Sequence, residues 1–268
     1  MSTLYIVGDA PGVGVTAAAA GLATLLEGVN DAPSVEELPS IDDARAGEPD
    51  ARVLLVSSPA SANPSHAASA LGDRLMGVII NAVPDSSRHV VLTTTVPSFE
   101  QKGIPVLGVV PEDRRMLAPT VRDVGEHLGA ECINLGELDE PDAALDALVE
   151  HFMLGGLFLD TGVYVFERRE QKAVIVRGDR PDLQMAALET STVCLVLTEG
   201  QLPVQYIVHH AALNQVPMLL VNKPTLETME ALHTVGEQST VRSVHKARRF
   251  GELLSAHCDL APLAGAAA

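Results

Sequence analysis

Short, uninterrupted apolar runs alternate with helix-like segments along most of this chain. Each run is too short for a helix and is bounded by glycine, proline or polar residues, which is typical of a strand buried on both faces. The clearest runs span residues 4–7, 53–58, 77–83, 105–110, 172–178, 194–200 and 217–221. Strands that alternate with helices at this spacing pair mostly in parallel, with helices on both faces of the sheet. The sequence therefore predicts an α/β fold with a mostly parallel sheet.

The alternation occurs in two blocks, and a length of 268 residues suits two domains better than one. We expect a first domain at residues 1–140, a second at 141–260 that opens with a helix over 141–154, and a disordered tail at 261–268. The acid- and proline-rich segment 30–50 is expected to be a mobile, solvated excursion with at most a short helix.

The net charge excludes several classes of partner. The formal charge is −17, from 35 Asp plus Glu against 18 Lys plus Arg. Such a surface repels nucleic acid and anionic membranes. The absence of Trp and an aromatic content of 3% leave few platforms on which bases could stack. We therefore expect neither nucleic acid nor membrane among the partners.

The basic residues and the cysteines bear on the cellular compartment. A secretory signal begins with positive charge, whereas the first basic residue here is Arg45. The three cysteines, Cys132, Cys194 and Cys258, are widely spaced and lie in or beside apolar stretches, which favours packing over disulfide or zinc binding. We expect a cytoplasmic protein without a metal site.

The stretch GDAPGVGVT, residues 8–16, has the form of a phosphate-binding loop between a strand and a helix. In such a loop backbone N–H groups and the positive helix end face the phosphate, and a lysine reaches the outer phosphates. Here Val15 occupies the lysine position and Asp9 adds negative charge. Because phosphoryl transfer depends on positioning and charge stabilisation, this substitution predicts the loss of hydrolysis.

The residues alone leave three interpretations of this loop open. It is a bare strand-to-helix turn, or it retains some nucleotide or anion binding, or a cation from elsewhere repairs it. Arg114 and Arg115, after a later strand, are the candidates for that cation. The residues of this degenerate phosphate loop are then Gly8, Gly12, Gly14, Thr16, Arg114 and Arg115. The acid that normally organises Mg²⁺ after a neighbouring strand is replaced by Ser57 and Ser58.

Polar and charged residues also follow three apolar runs of the second block. The ends of parallel strands meet at one edge of a sheet, so these residues should gather around a helix start and form a pocket for a nucleotide or another phosphorylated metabolite. The candidate ligand-binding residues are Gly178, Asp179, Arg180, Asp182, Thr198, Gly200, Asn222 and Lys223. The alternative is that Pro181 merely starts the helix and that Asp179 or Asp182 caps it.

Several of these stretches resemble known domains. GDAPGVGVT and GVIINAVP resemble the dethiobiotin-synthetase-like P-loop domain at the N-terminus of long bacterial phosphate acetyltransferases, and PEDRRMLAPTVRDVGEHLGAE is similar to the segment that follows there. GDRPDLQMAALETS, CLVLTEG and VHKARRFGELLSAH resemble the DRTGG domain. The resemblance implies a P-loop-NTPase-like domain followed by a small α/β DRTGG-like domain. It departs at Val15, at Glu199 in place of the first of two expected glycines, and at the end, where an acetyltransferase domain would begin.

These observations favour a regulatory or scaffolding protein without catalytic residues, which senses a nucleotide or phosphorylated metabolite through the DRTGG-like domain. One alternative is an ATP-dependent enzyme of the dethiobiotin synthetase or amidoligase type that uses a cation from elsewhere. Another is an assembly module without a ligand. We expect a homodimer, because open sheet edges are commonly protected by pairing, and a metabolic enzyme such as an acetyltransferase is a candidate partner.

Overall fold

The computed structural model describes residues 3–27, 32–47, 51–61, 64–156, 162–238 and 243–264. The chain divides into two compact units, one formed by residues 1–116 with 246–268 and the other by 117–245. Each unit is built around its own five-stranded sheet, within the described residues. The α/β fold class predicted from the sequence is confirmed.

The sheet of the first unit is parallel throughout and has the strand order β2-β1-β3-β4-β5. The central strands are continuous apolar runs, and Leu54 and Ile79 are fully buried. This order places a switch in chain direction between β1 and β3, the point where open α/β sheets bind their ligands. The strands are β1 (Thr3–Gly8), β2 (Ser34–Glu37), β3 (Arg52–Ser57), β4 (Leu75–Val83) and β5 (Val106–Pro111).

Helices connect these strands and cover the sheet. The cluster on one face combines Leu55 and Ile80 of the sheet with Ala68 and Phe99 of the helices. A π-helical segment at Val91–Thr95 directly joins the fourth and fifth helices of the list that follows. Short 3₁₀ helices lie at Gly72–Arg74 and Arg114–Met116. The helices are α1 (Val15–Leu26), α2 (Ile41–Ala46), α3 (Pro64–Leu71), α4 (Asp85–Val90) and α5 (Val96–Glu100).

Segment 30–50 is more structured than the sequence predicted. The expected short helix is present as α2, but β2 also forms and pairs in parallel with β1 at the sheet edge. An edge strand is held by backbone hydrogen bonds on one side, so it needs no apolar run, and this one reads SVEE. Residues 28–31 and 48–50 of the segment lie outside the described residues.

The sheet of the second unit has the strand order β6-β10-β9-β8-β7, in which β6 alone runs antiparallel to its neighbour within the described chain. Its central strands β8 and β9 carry fully buried side chains on both faces. The strands are β6 (Glu131–Cys132), β7 (His151–Leu154), β8 (Lys172–Arg177), β9 (Thr192–Thr198) and β10 (Met218–Leu220).

Two apolar clusters sandwich this second sheet. Val174 and Leu195 pack on one face against α8, α9 and α10, whereas Ile175 and Val196 pack on the other against α6 and α11. Short 3₁₀ helices lie at Leu135–Glu137 and Val235–Gln238. The helices are α6 (Val121–Leu128), α7 (Pro141–Leu145), α8 (Val163–Phe166), α9 (Pro181–Leu188), α10 (Gln205–Leu213) and α11 (Thr225–Leu232).

The predicted helix over 141–154 is wrong in its second half. Only α7 forms at its start, and His151–Leu154 is strand β7, paired in parallel with β8. The strand sequence HFML follows helix-forming residues directly, without a glycine or proline signal between them. No local signal therefore marks where the helix ends.

The chain returns to the first unit at its C-terminal end through α12 (Val244–His257) and α13 (Ala261–Ala264). Helix α12 crosses α1 at two glycines, where a Cβ on Gly21 would lie 3.0 Å from the backbone nitrogen of Gly251. Phe250 and Leu254 of α12 are buried. Beyond α12, the backbone nitrogen of Asp259 donates to the carbonyl of Leu107 at 2.7 Å.

The unit boundaries therefore differ from the predicted domains 1–140 and 141–260. Residues 117–140 belong with the second sheet, because β6 pairs with β10, and α12 belongs with the first unit. The predicted disordered tail 261–268 is corrected at its start, where α13 forms and Leu263 is buried; residues 265–268 lie outside the described residues. Both differences come from packing between segments that are far apart in sequence.

Candidate functional site

The phosphate-loop sequence forms the predicted strand, turn and helix. Gly12 and Gly14 have φ values of +77° and +95°, a conformation that L side chains rarely adopt. A Cβ on Gly8 would lie 2.7 Å from Cγ2 of Val13 and 2.8 Å from Cγ2 of Val15. The side chain at the lysine position therefore packs against the start of the loop.

Asp9 bridges the two loops that flank the switch point of the first sheet. Its carboxylate accepts hydrogen bonds from the hydroxyl of Ser57, the last residue of β3, at 2.6 Å and from that of Ser61, in the loop that follows, at 2.7 Å. Its backbone nitrogen donates to the carbonyl of Val56. Of the two serines that stand where a magnesium-binding acid is expected, Ser57 thus binds Asp9, whereas Ser58 pairs with Ser61. A carboxylate is fixed at the place where this fold binds anionic ligands.

Thr16 is also engaged within the unit. Its hydroxyl donates to Oε2 of Glu37, the last residue of β2, at 2.9 Å. The hydroxyl that would contact Mg²⁺ in a working loop therefore faces a second carboxylate. This pair was not predicted, because no apolar run indicates a strand at residues 34–37.

Asn81 is a further loop contact that the sequence analysis missed. This side chain is 7% exposed, and its Nδ2 donates to the carbonyl of Val13 at 2.9 Å. A Cβ on Gly14 would overlap the same amide nitrogen. An amide inside the apolar run VIINAV was the available signal, because a buried polar side chain needs a partner.

Arg114 and Arg115 lie on the same sheet edge as the loop but not beside it. Both are exposed in the 3₁₀ helix after β5, with β3 and β4 between β5 and β1. Three strand spacings amount to about 14 Å. Nearby, Asp113 is bound by Arg249 of α12, with Nε 2.6 Å from Oδ2.

The second candidate set lies on three loops that touch one another at the carboxyl edge of the second sheet. A Cβ on Gly178 would overlap the carbonyl oxygen of Gln201, and a Cβ on Gly200 would lie 2.7 Å from Oδ1 of Asn222. The backbone nitrogen of Glu199 donates to the carbonyl of Lys223 at 3.0 Å. The loops after β8, β9 and β10 are therefore held together by close approaches at two glycines and by a backbone hydrogen bond.

Glu199 and Gly200 form a tight turn in the left-handed region, with φ values of +66° and +65°. Glycine adopts such values at no steric cost, whereas a glutamate is strained there. This geometry explains why a glycine is expected at position 199. Glu199 also approaches Arg177, with Oε2 3.6 Å from Nε.

Each arginine of this edge is clamped by the acid two residues after it. Arg177 makes two hydrogen bonds to Asp179, at 2.9 and 2.6 Å, and Arg180 makes two to Asp182, at 2.9 and 2.7 Å. These bonds lower the pKa of both carboxyls and raise the pKa of both guanidinium groups. The clamps are largely exposed to solvent, so they contribute little to stability.

The alternative in which an acid caps the start of α9 is supported in part. Arg180 is the cap residue of α9 and makes no side-chain capping hydrogen bond, but the backbone N–H of Leu183 helps to lower the pKa of Asp182. Thr198 is fully buried beneath the edge, and its hydroxyl lies 2.7 Å from that of Thr225. Asn222 and Lys223 are exposed.

Gln184 supports the arginine loop from below. It is fully buried in α9, and its Nε2 donates to the carbonyls of Arg177 at 2.7 Å and Gly178 at 3.0 Å. Its Oε1 has no hydrogen-bond partner in the described structure. The sequence analysis missed this residue, although a glutamine on the apolar side of a helix is a signal of such a role.

Other classes of site find no support among the described residues. No three His, Cys, Asp or Glu side chains of the described ranges are arranged to hold a metal ion. Burial raises the pKa of all three cysteine thiols, that of Cys258 to about 12. Within the same ranges no helix combines the length and apolarity needed to cross a bilayer.

Comparison with known proteins identifies the second unit. Residues 123–235 match the DRTGG domain family. The phosphate acetyltransferase of Haemophilus influenzae is 27% identical in an alignment that covers 52% of this chain and 22% of that protein. The phosphate acetyltransferase of Acinetobacter baylyi is 24% identical, over 79% of this chain and 34% of that protein. The chain thus spans about a third or less of the length of these relatives.

One solved structure was also similar, namely the CBS and DRTGG domains of the regulatory region of a Clostridium perfringens pyrophosphatase, complexed with its activator diadenosine tetraphosphate. It is 15% identical, with a TM-score of 0.38, and the match covers 57% of this chain and 72% of the other. The sequence comparisons decide the assignment: this chain contains a DRTGG domain and is homologous to a part of bacterial phosphate acetyltransferases.

Proposed function

We propose that this protein is a regulatory protein whose DRTGG domain binds a nucleotide or a related phosphorylated metabolite at the carboxyl edge of the second sheet. The observation that carries the proposal is the pair of guanidinium groups on either side of the turn between β8 and α9, that of Arg177 exposed and that of Arg180 half-buried. Both are already oriented by two hydrogen bonds to a carboxylate. The same fork geometry binds a phosphate.

A phosphate can take the place of the carboxylates at the two arginines. The ion pairs are exposed and contribute little to stability. Arginine binds phosphate with the same pair of parallel hydrogen bonds that it makes to a carboxylate. Displacing Asp179 or Asp182 from its arginine is therefore a small cost.

The charge balance at this edge favours a mixed ligand over a bare polyphosphate. The loops at this edge carry three cations and three acids, so the formal sum is zero: Arg177, Arg180 and Lys223 against Asp179, Asp182 and Glu199. A nucleotide supplies phosphate oxygens for the cations and ribose hydroxyls or base amines for the displaced acids. Inorganic polyphosphate offers nothing to the acids.

The first unit is a poorer place for the same ligand. Its loop carries Val15 in place of the lysine, and the carboxylates of Asp9 and Glu37 are held at the positions described above. A phosphate there would meet two negative charges, against the half charge of the helix dipole. We therefore assign this loop a structural role, and this supports a regulatory function over an ATP-dependent enzyme.

A ligand screen by thermal shift tests the proposal. The panel contains adenine and guanine nucleotides, cyclic dinucleotides, diadenosine tetraphosphate, coenzyme A and acetyl phosphate. A ligand at one hundred times its Kd should add about 2.7 kcal/mol of stability, which is an easily visible shift. A flat response to every compound would refute the proposed sensing. It would favour the alternative, an assembly module without a ligand.

Two matched variants locate the binding. Arg180→Gln should weaken the responding ligand at least about tenfold, because it removes a charged phosphate contact. Arg122→Gln is the control, since Arg122 lies in the same unit and also pairs with two acids, Asp142 and Asp146. Equal losses in both variants would argue against a site at this edge.

The similarity to phosphate acetyltransferases supports an acetyltransferase as the first partner to test. The purified protein, with and without the responding ligand, would be added to a phosphate acetyltransferase assay. A change in rate that depends on the ligand supports this partner. An unchanged rate with a ligand known to bind would contradict the partner without contradicting the binding.

A further inference from the structure

Glu199 is held in a backbone conformation that suits glycine. Its φ of +66° lies in the left-handed region, and it is the one charged side chain among the described non-glycine residues with positive φ. Two backbone hydrogen bonds fix the turn, from the nitrogen of Glu199 to the carbonyl of Lys223 and from that of Gly200 to the carbonyl of Val221. Strain of this kind clusters at ligand-binding and active sites, so the presence of this side chain calls for an explanation.

The ion pair with Arg177 does not account for the glutamate. Oε2 of Glu199 lies 3.6 Å from Nε of Arg177, too far for a good hydrogen bond, and the same Nε already donates to Asp179 at 2.9 Å. The pair is partly exposed and contributes little to stability. Within the described residues the Glu199 carboxylate accepts no hydrogen bond, whereas those of Asp179 and Asp182 each accept two. Glu199 is thus the acid of this edge whose acceptors are available.

The place of Glu199 relative to the arginine loop is that of a ribose-binding acid. Strands β8 and β9 are adjacent and parallel and are connected through α9, and Glu199 directly follows β9, about 20 residues after Gly178. In dinucleotide-binding βαβ units the phosphate lies at the start of the helix, and an acid about 20 residues further on accepts from the ribose. Neighbouring strands lie about 4.8 Å apart. A ligand with its phosphate at Arg177 therefore reaches Glu199 with the group next to that phosphate.

A buried acceptor beside the arginine loop also indicates a bound molecule. The side chain of Gln184 is fully buried and reaches back to the loop after β8, where its Nε2 donates to the carbonyls of Arg177 and Gly178. Its Oε1 has no hydrogen-bond partner in the described structure. Buried polar atoms without a partner are uncommon in native proteins, and bound water or a ligand accounts for many of them.

We infer that Glu199 accepts hydrogen bonds from the ribose hydroxyls of the ligand and thereby selects ribonucleotides whose 2′ and 3′ hydroxyls are free. This inference rests on the proposed binding of a phosphorylated ligand by Arg177 and Arg180, and it narrows the class of that ligand. An ionised carboxylate only accepts hydrogen bonds, so it binds hydroxyl groups and repels a phosphate in their place. A deoxyribose leaves the carboxylate without a partner, which weakens binding.

Isothermal titration calorimetry on the full chain tests the inference. The probes are ADP, GDP, CDP and UDP, together with the 2′-deoxy and 3′-deoxy forms of each. At least one ribonucleoside diphosphate should bind the wild-type protein, and one of its deoxy forms should bind at least about tenfold more weakly. A loss of this size is expected because the missing hydroxyl removes a hydrogen bond to a charged group.

Glu199→Gly separates ligand selection from folding. Glycine adopts the conformation of this turn without strain, so the Tm should not fall. The variant should bind the ribonucleoside diphosphate at least about tenfold more weakly than the wild type does, and it should bind the ribose and deoxyribose forms equally. A residue with a merely structural role would not abolish a difference between two ligands that is due to one hydroxyl group.

Gln171→Gly is the matched control. Gln171 also has a positive φ, of +48°, and it lies in the same unit directly before β8, at the opposite edge of the sheet. Replacing it with glycine relieves the same kind of strain without touching the arginine loop. This variant should keep both the affinity of the wild type and its preference for ribose.

Several results would overturn the inference. The wild type could bind the ribose and deoxyribose forms equally, Glu199→Gly could keep the preference, or Gln171→Gly could lose it to the same degree. The four ribonucleoside diphosphates could also fail to bind while another compound of the thermal-shift panel stabilises the protein. The inference would then be wrong and the proposed sensing would stand, whereas a lack of binding by every compound would contradict both.

Discussion

Thr16 and Glu37 are joined by a hydrogen bond of 2.9 Å between the first turn of α1 and the end of β2. In a phosphate loop that binds Mg²⁺ and ATP, this hydroxyl would face the metal. Here the edge strand brings a carboxylate to it, and Asp9 places another between the loops after β1 and β3. The loop therefore lacks the lysine, and it also holds two carboxylates: that of its own residue Asp9 and that of Glu37, which binds Thr16.

Restoring the lysine alone should not restore ATP binding. In Val15→Lys the new ammonium would enter a loop that already holds the carboxylates of Asp9 and Glu37, so we expect them to offset its charge. We expect no phosphate release above the buffer rate and no thermal shift with Mg²⁺ and ATP. A Val15→Lys protein that binds ATP would contradict this explanation.

Removing the acids as well isolates their effect. The triple variant Val15→Lys, Asp9→Asn, Glu37→Gln should show a thermal shift with Mg²⁺ and ATP that the single variant lacks. The control is the double variant Asp9→Asn, Glu37→Gln, which still lacks the lysine and should not respond. A response from the double variant would mean that the carboxylates, and not the missing lysine, prevent binding.

The contact between Gly178 and the carbonyl of Gln201 should be essential for the second unit. In Gly178→Ala the new methyl group would overlap that oxygen, so the loops after β8 and β9 must separate. We expect a loss of about 2 kcal/mol or more in the free energy of unfolding, measured by urea titration. A clash between a Cβ atom and a backbone oxygen cannot be relieved by a rotamer change.

Gly136→Ala serves as the control for that measurement. Gly136 is also in the second unit, but a Cβ there has no neighbour within 4 Å. Its stability should stay within about 0.5 kcal/mol of the wild type. Equal stability of the Gly178 and Gly136 variants would show that the three loops are not locked together.

The sequence predicted those parts of the fold that local pattern determines. Strands such as β3 and β4 were recognisable because Leu54 and Ile79 lie in apolar runs that must be buried on both faces. Strand β2 was not, because SVEE is held by backbone pairing at an edge. The sequence also did not show to which unit α12 belongs, because Gly21 and Gly251 meet only in the folded chain.

The candidate sites show the same division. The loops after β8, β9 and β10 were expected to meet, because parallel strands end at one edge, and they do. The binding of each arginine to the acid two residues later was not expected, since it depends on rotamers and local loop geometry. The Asp9 contacts with Ser57 and Ser61 connect residues some fifty positions apart, and no local pattern indicates them.

The crossing of α1 and α12 should tolerate no larger residue at Gly21. A Cβ there would lie 2.9 Å from Cδ1 of Phe250 and 3.0 Å from the nitrogen of Gly251, so Gly21→Val must push the helices apart. Overpacking of this kind costs about 1 to 3 kcal/mol. Thermal unfolding should show a lower Tm, whereas Ala23→Ser on the exposed side of α1 should leave the Tm nearly unchanged. A Gly21→Val protein as stable as the wild type would contradict the close helix packing.

Lys172 should make stability depend on pH in the alkaline range. The side chain is fully buried at the start of β8, where its Nζ donates to the carbonyl of Ser191 at 2.8 Å. Burial lowers its pKa from 10.5 to about 8, and the nearby Glu170 opposes this only in part. Between about pH 8 and 10.5 the unfolded chain therefore binds a proton at Lys172 that the folded chain has released.

When the unfolded state binds more protons, stability rises with pH, so this lysine should add up to about 3 kcal/mol between pH 8 and 10.5. Other groups titrate there too, including Cys258, whose raised pKa acts in the opposite direction. The informative quantity is thus the difference between the wild type and Lys172→Met, measured by urea unfolding at several pH values. The free energy of unfolding of the wild type should increase relative to that of the variant as the pH rises from 8 to 10. The exposed Lys223→Met should instead follow the wild type, and a constant difference for Lys172→Met would show that Lys172 keeps its proton in the folded protein.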